Sequence, residues 1–261
     1  MQLTILKRGD KGPLVGLWQE FLHGEGLYKG RIDCDYGPKT HNATKEYEAI
    51  QRLPQDGIVD DALWGAAMAQ DLAIAGSRWV TPDKPDFKPL SVAQKHKRFG
   101  RIESKAAPTR NNPEAIRITN NWQREYLSRV HIPQLVGIVG APYSRNIFVN
   151  KLAVEPMKAL FQYWEDNDLM HYVKSWAGSW VPRYVRRAPG VLSSHAWGTA
   201  FDINAECNGL GRHPAPSDDH GTVIPLVQSA NDFGFWWGGH WNRPDGMHFE
   251  LVMRKRQRND T

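Results

Sequence analysis

Cysteine is scarce in this 261-residue chain: Cys34 and Cys207 are its only two, and they lie too far apart to form a disulfide framework or a zinc knuckle. Long apolar runs are missing as well. Nothing approaches the roughly 18 uninterrupted apolar residues of a membrane span. The opening MQLTILKRGD has only Leu3 to Leu6 before Lys7, so it lacks the apolar core of a secretory signal, and synthesis in a cytoplasm is the expectation. Neither sign of charge dominates, with 33 Lys and Arg against 28 Asp and Glu, a net +5. That excess is local. Residues 81–110 carry eight basic and three acidic side chains and residues 251–261 carry four and one, whereas residues 1–75 and 111–250 are slightly acidic, at −3 and −1. Such a distribution gives no broad basic face for nucleic acid. With 41% hydrophobic and 11% aromatic residues there is enough apolar side chain for real cores.

Three parts follow from patterning. In residues 1–75, Gly12-Pro13 places proline where a first helical turn tolerates it. Leu14, Leu17, Trp18, Phe21 and Leu22 then fall on one helical face, ended by the glycines of HGEG. A second helix is predicted after Gly37-Pro38, with Ala43, Tyr47 and Ile50 on one face, and a third after Asp56-Gly57, with Leu63, Trp64, Ala67 and Met68 as its stripe. The sum is a small three-helix bundle. Residues 76–113 contain several prolines and the run KHKRFGR, with little periodicity, which predicts a basic, extended linker. Residues 114–261 are mixed. Val154, Met157, Leu160, Phe161 and Trp164 repeat at helical spacing, while IPQLVGIVG and the segment around Phe201 to Ile203 suggest strands. The expected class is α+β, with a mainly antiparallel sheet in this third part.

Two short stretches carry the chemistry. SSHAWGTAFDIN, residues 193–204, presents His195 and Asp202. GGHWNRPDGMHFEL, residues 238–251, presents Asp245 and His248. Two imidazoles and a carboxylate are three suitable zinc ligands, a fourth position left to water would make such a site catalytic, and a second carboxylate would supply a general base. The ligands do not follow His-Glu-x-x-His, so they do not share one helical turn. Seven residues separate His195 from Asp202, which would put them on opposite sides of an unbroken strand; the chain must bend, and Gly198 is the obvious place. Ser193 is expected to support the loop or a ligand, and His240 to be either a turn histidine or a substrate contact. Glu250 would share a strand face with His248 and so is placed to orient it. Trp197, Trp236, Trp237 and Trp241 are expected in the core, with lining of a groove as the alternative.

These motifs resemble two known families. LKRGDKGPLVGLWQEFL, IDCDYGPKTHNATKEYEAIQ and DGIVDDALW, in this order, are similar to the peptidoglycan-binding domain of cell-wall hydrolases, with Cys34 standing where that family usually has glycine and Asp60-Asp61 replacing a common Gly-Pro. The pattern Ser193-x-His195-x-x-Gly198-x-x-x-Asp202, with Asp245-x-x-His248-Phe249-Glu250 downstream, resembles the VanY-type D-alanyl-D-alanine carboxypeptidases and phage L-alanyl-D-glutamate endopeptidases. That resemblance implies one catalytic zinc ion on His195, Asp202 and His248, Asp245 as catalytic base, and Arg186 as substrate contact, with Arg183 and Arg187 as rivals for the last role. It also implies a modular phage endolysin that cleaves peptidoglycan stem peptides, between L-alanine and D-glutamate or at a terminal D-alanine. Such an enzyme would accumulate in the host bacterial cytoplasm and act on the wall after release. The alternative outside enzymes is a peptidoglycan-binding or structural protein with a vestigial zinc site. A monomer is expected, with weak, salt-sensitive attraction of its basic segments to anionic envelope polymers.

Overall fold

The bundle expected at the N-terminus forms where its turn and cap residues put it. A computed structural model of the chain describes residues 4–70, 72 and 82–252 and divides it into two compact units, the second beginning at Pro82. In the first unit, helix α1 (Pro13–Gly24) and helix α2 (Pro38–Gln51) each start on proline, which gives up an N–H that no helix start can satisfy internally. Helix α3 (Asp61–Met68) is capped by Asp60, whose Oδ1 accepts the Leu63 N–H at 2.9 Å, so the replacement of Gly-Pro by two aspartates leaves a working helix start. Trp18, Leu22, Tyr36, Tyr47, Leu63 and Trp64 fill the core, each removing apolar surface worth about 1.5–3 kcal/mol. Two expected core positions, Ile50 and Met68, are exposed instead. They sit in the last turns of α2 and α3, beyond the reach of the packing.

Gln19 was hidden within the apolar stripe of α1. It is fully buried, its amide N–H groups donate to Asp33 Oδ1 at 2.8 Å and to Thr40 Oγ1 at 2.9 Å, and its Oε1 accepts from the Cys34 N–H at 2.9 Å. Cys34 itself adopts a left-handed φ of 57°. Glycine takes that conformation without the strain that a cysteine Cβ brings.

The second unit corrects the linker. Residues 76–81 lie outside the described residues, but from Pro82 onward the supposed tether belongs to the unit. Helix α4 (Val92–Phe99) carries a full capping box between Ser91 and Gln94 and buries Lys95 and Phe99. Strands β1 (Ser104–Ala106) and β2 (Ile116–Ile118) pair antiparallel. The basic run that looked like a solvated tether is therefore in part structural, because Ser-x-x-Gln and the apolar ends of VAQKHKRF outweigh its charge. The basic tail lies mostly outside the described residues, in 253–261.

After helix α5 (Trp122–Tyr126), strands β3 (Leu127–His131) and β4 (Asn146–Asn150) pair antiparallel. The strand expected in IPQLVGIVG is absent: Pro133 opens a single 3-10 turn, and Gly137 and Gly140 take positive φ angles of 73° and 78°. Helix α6 (Val154–Asp166) buries Met157, Leu160, Phe161 and Trp164, as its spacing predicts. It covers a four-stranded sheet built from β5 (Trp176–Gly178), β8 (Ala200–Ile203), β9 (Phe235–Trp237) and β10 (His248–Leu251). Between β5 and β8 in the chain lies a separate hairpin of β6 (Tyr184–Val185) and β7 (Ala188–Leu192). The sheet order is β5-β8-β10-β9, every pairing antiparallel, and helix α7 (Ile224–Asp232) leads into β9. Phe201 stacks on Trp176 and Phe249 at centroid distances of 5.9 and 5.3 Å, and Phe161 and Trp164 close over them. Period-2 alternation sends Asp202, His248 and Glu250 to the face away from this aromatic layer.

Candidate metal centre

Register places the first two donors. Strands β8 and β10 run antiparallel with His248 directly opposite Asp202, and adjacent strands lie close enough for such cross-strand pairs to touch. The third donor comes from the bend. Ser194–Trp197 form a 3-10 turn, Gly198 takes a φ of 63°, and β8 begins two residues later, so His195 returns to the side of Asp202. Only glycine fits there: a Cβ at Gly198 would stand 2.9 Å from the Asn150 backbone nitrogen.

The result is three buried donor atoms converging on one point. His195 Nε2 lies 3.1 Å from Asp202 Oδ1 and 3.0 Å from His248 Nδ1, and His248 Nδ1 lies 2.9 Å from the same carboxylate oxygen. The opposite nitrogens decide the protonation. His195 Nδ1 faces the Ser179 carbonyl at 2.7 Å, which can only accept, so this nitrogen carries the proton and Nε2 presents a lone pair. His248 Nε2 faces Glu250 Oε2 at 3.5 Å, which favours the proton there and a lone pair on Nδ1. Two lone pairs and an ionised carboxylate pointed at each other require a positive charge between them. Without a metal, that charge would have to be a proton. Burial opposes charge on His248, yet the hydrogen bonds of Asp202 and Glu250 raise its pKa to about 9. Burial also opposes ionisation of Asp202, but the two histidines hold it far below the usual carboxylate range. The set His195, Asp202 and His248 could hold a metal ion, and its nitrogen and oxygen donors suit zinc.

Asp245 stands beside this set. The Asp245 backbone N–H donates to the Gly238 carbonyl at 3.0 Å, and its own carbonyl accepts from the His248 N–H at 3.0 Å, which locks the turn that leads into β10. The side chain is buried, and its Oδ1 has no hydrogen-bond partner among the described residues. Burial pushes its pKa up, His248 pulls it back, and Asp202 pushes it up again. A buried carboxylate oxygen beside three converging ligand atoms can accept a proton or a hydrogen bond from a group bound at that point.

The arginines separate. Arg186 and Arg187 are exposed in the β6–β7 hairpin, Arg187 with a left-handed φ of 63°. Arg183 is half-buried and lies in the field of both Asp202 and Asp245, although burial is the larger influence on it and lowers its pKa. Among the three arginines Arg183 is the least exposed, while the expected Arg186 lies exposed in the hairpin.

The remaining candidates divide as well. Ser193 Oγ accepts from the His195 N–H at 3.4 Å and caps the 3-10 turn, a supporting position. His240 is buried between Trp236 and Trp237, and its Nε2 is engaged by the Pro82 carbonyl at 2.9 Å. Glu250 shares the face of His248, as alternation predicts, but it also meets Lys95 at 3.1 Å and accepts from the Ser194 hydroxyl. Trp197, Trp236 and Trp237 are core residues, while Trp241 is half-exposed and its ring lies 5.3 Å from that of His248. Sequence reasoning missed Ser179, which contributes a main-chain carbonyl that no residue type announces. It also missed Lys95 and Ser194; the capping box ahead of Lys95 was the available signal.

Residues 186–251 match the family model described as D-alanyl-D-alanine carboxypeptidase, and residues 11–67 match the one described as putative peptidoglycan binding domain. No curated protein matches the chain. Among solved structures, the chain is similar to "The crystal structure of SleB N-terminal domain", with 25% identity over 26% of this chain and 92% of that one, at a TM-score of 0.25. The two matched segments support a cell-wall peptidase that carries a peptidoglycan-binding module ahead of its peptidase domain.

Proposed function

We propose that this protein is a zinc-dependent endopeptidase that cuts peptidoglycan stem peptides between L-alanine and D-glutamate, with His195, Asp202 and His248 as metal ligands. The observation that carries the reading is the convergence of two imidazole lone pairs and one carboxylate at 2.9–3.1 Å, beside the unpartnered buried oxygen of Asp245. Zinc bound there would acidify a coordinated water to a pKa of about 7 and polarise the scissile carbonyl. Asp245 would take the proton of the attacking water and pass it to the leaving amine, a role suited to a carboxylate whose pKa burial has raised. Arg183 would offer its planar fork to the developing oxyanion or to a substrate carboxylate. The Ser179 carbonyl and Glu250 would keep the two histidines in their metal-binding tautomers.

A second reading, removal of terminal D-alanine, is favoured by the description of the family model that matches residues 186–251. Mass spectrometry of products from purified stem peptides separates them. The endopeptidase yields new D-glutamyl amino termini, and free D-alanine as sole product would sink it. The wider setting that we propose is an endolysin made in the cytoplasm of a host bacterium, acting as a monomer on the wall after release. Its support is the likeness of the motif set to phage endopeptidases.

A further inference from the structure

Behind the candidate metal centre lies a second buried polar cluster that the matched family segment only partly contains. Lys95 comes from α4, about ninety residues before that segment begins. Its ammonium donates to Ser194 Oγ at 2.6 Å and to Glu250 Oε2 at 3.1 Å, and the Ser194 hydroxyl donates to the same Glu250 oxygen. All three side chains are buried. Ser194 immediately precedes His195 in the chain, and Glu250 follows His248 by two residues on the same strand face, with its Oε2 facing His248 Nε2. One ammonium thus grips the neighbours of two of the three donors. A buried lysine costs several kcal/mol in desolvation unless it is paired, and a pair of hydrophobic residues would hold α4 in place as well or better. Packing alone gives no reason for the charge.

We infer that Lys95 is a positioning residue for the metal centre: by anchoring the Glu250 carboxylate against His248 Nε2 and the Ser194 hydroxyl beside His195, it aims both imidazoles at the ion. The inference rests on the reading of His195 and His248 as zinc ligands. Glu250 Oε2 stands 3.5 Å from His248 Nε2, the side from which it can orient that imidazole, and Lys95 at 3.1 Å fixes the carboxylate in that place. Partners of this kind, one step removed from the ion, typically tune metal affinity by about 10–100-fold.

The test is zinc affinity, measured by competition with a chromophoric chelator, on the full chain and its K95M, E250Q, K95M/E250Q and K95R variants, with metal-free folding checked by circular dichroism. The expectation is that K95M and E250Q each weaken zinc binding about 10–100-fold, that the double variant is no weaker than the worse single one, and that K95R stays within about threefold of the parent. Parental affinity in K95M, or losses that multiply in the double variant, would overturn the inference. If a single variant leaves a charge buried alone and does not fold, the uncharged K95M/E250Q pair decides: zinc binding as tight as the parent's overturns the inference, and a 10–100-fold loss beside an intact K95R upholds it. Failure of the parent itself to bind zinc would instead remove the metal reading, so the two failures are distinguishable.

Discussion

Asp245 carries the sharpest consequences at the residue scale. As the proposed general base it must be ionised, and burial raises its pKa, so activity on soluble stem peptides should fall as pH drops through that raised value, higher than an exposed aspartate would give. A pH–rate profile whose acid limb lies at the ordinary aspartate range would contradict this assignment. Asp245→Asn should lower kcat by about 10²–10⁴-fold while zinc binding survives, because the side chain is not among the three converging donors. Arginine supplies a comparison: Arg183→Ala should cost far more activity than Arg186→Ala, measured as kcat/KM on the same peptides. Equal losses would return Arg186 to the site. The donors themselves were legible in the sequence, because His, Asp and His in two short motifs carry their chemistry in their residue types. Which of the three arginines is half-buried was not legible, since all three lie within five residues and only the hairpin decides their exposure.

Elements decide what surrounds the donors. Gly198→Ala would force a left-handed φ on alanine and press its Cβ toward the Asn150 backbone nitrogen, so it should destabilise the protein by about 1–3 kcal/mol in urea unfolding. A stability unchanged within error would mean that the bend tolerates a side chain. Helix α4 makes the second prediction. A chain begun at Pro82 should fold, whereas one begun at Glu114 should not, because it loses Phe99 from the core and leaves Glu250 buried without Lys95. Circular dichroism and thermal melts of the two chains distinguish them. Helices α1 and α6 could be read from spacing because their apolar stripes are sustained over three turns. Helix α4 could not: eight residues with four basic or imidazole side chains look solvated until tertiary contacts absorb them. The IPQLVGIVG segment failed for the opposite reason, since an apolar run says nothing of whether its backbone finds a strand partner, and Pro133 with two positive-φ glycines leaves it an isolated bridge from Val139 to Ser175 in place of a strand.

Across the whole molecule, the +5 charge changes meaning. Part of the basic run over residues 81–110 belongs to the second unit: Lys95 is buried on Glu250, and Arg98 donates to the Val252 carbonyl at the end of β10. What the charge does for wall attachment therefore rests on the exposed remainder and on residues 253–261, outside the described part of the chain. A peptidoglycan-binding module ahead of a peptidase domain would raise the effective concentration of substrate near the site, with no need for a strong electrostatic field. The claim on which everything else depends is that the His195, Asp202 and His248 set holds an ion required for peptide-bond hydrolysis. It is tested most directly by counting amino groups released from purified sacculi by chelator-treated protein before and after one equivalent of zinc is restored. We predict no release without the metal and full recovery with it. Undiminished release by the metal-free protein, or none after zinc is restored while the protein still binds sacculi, would contradict the claim.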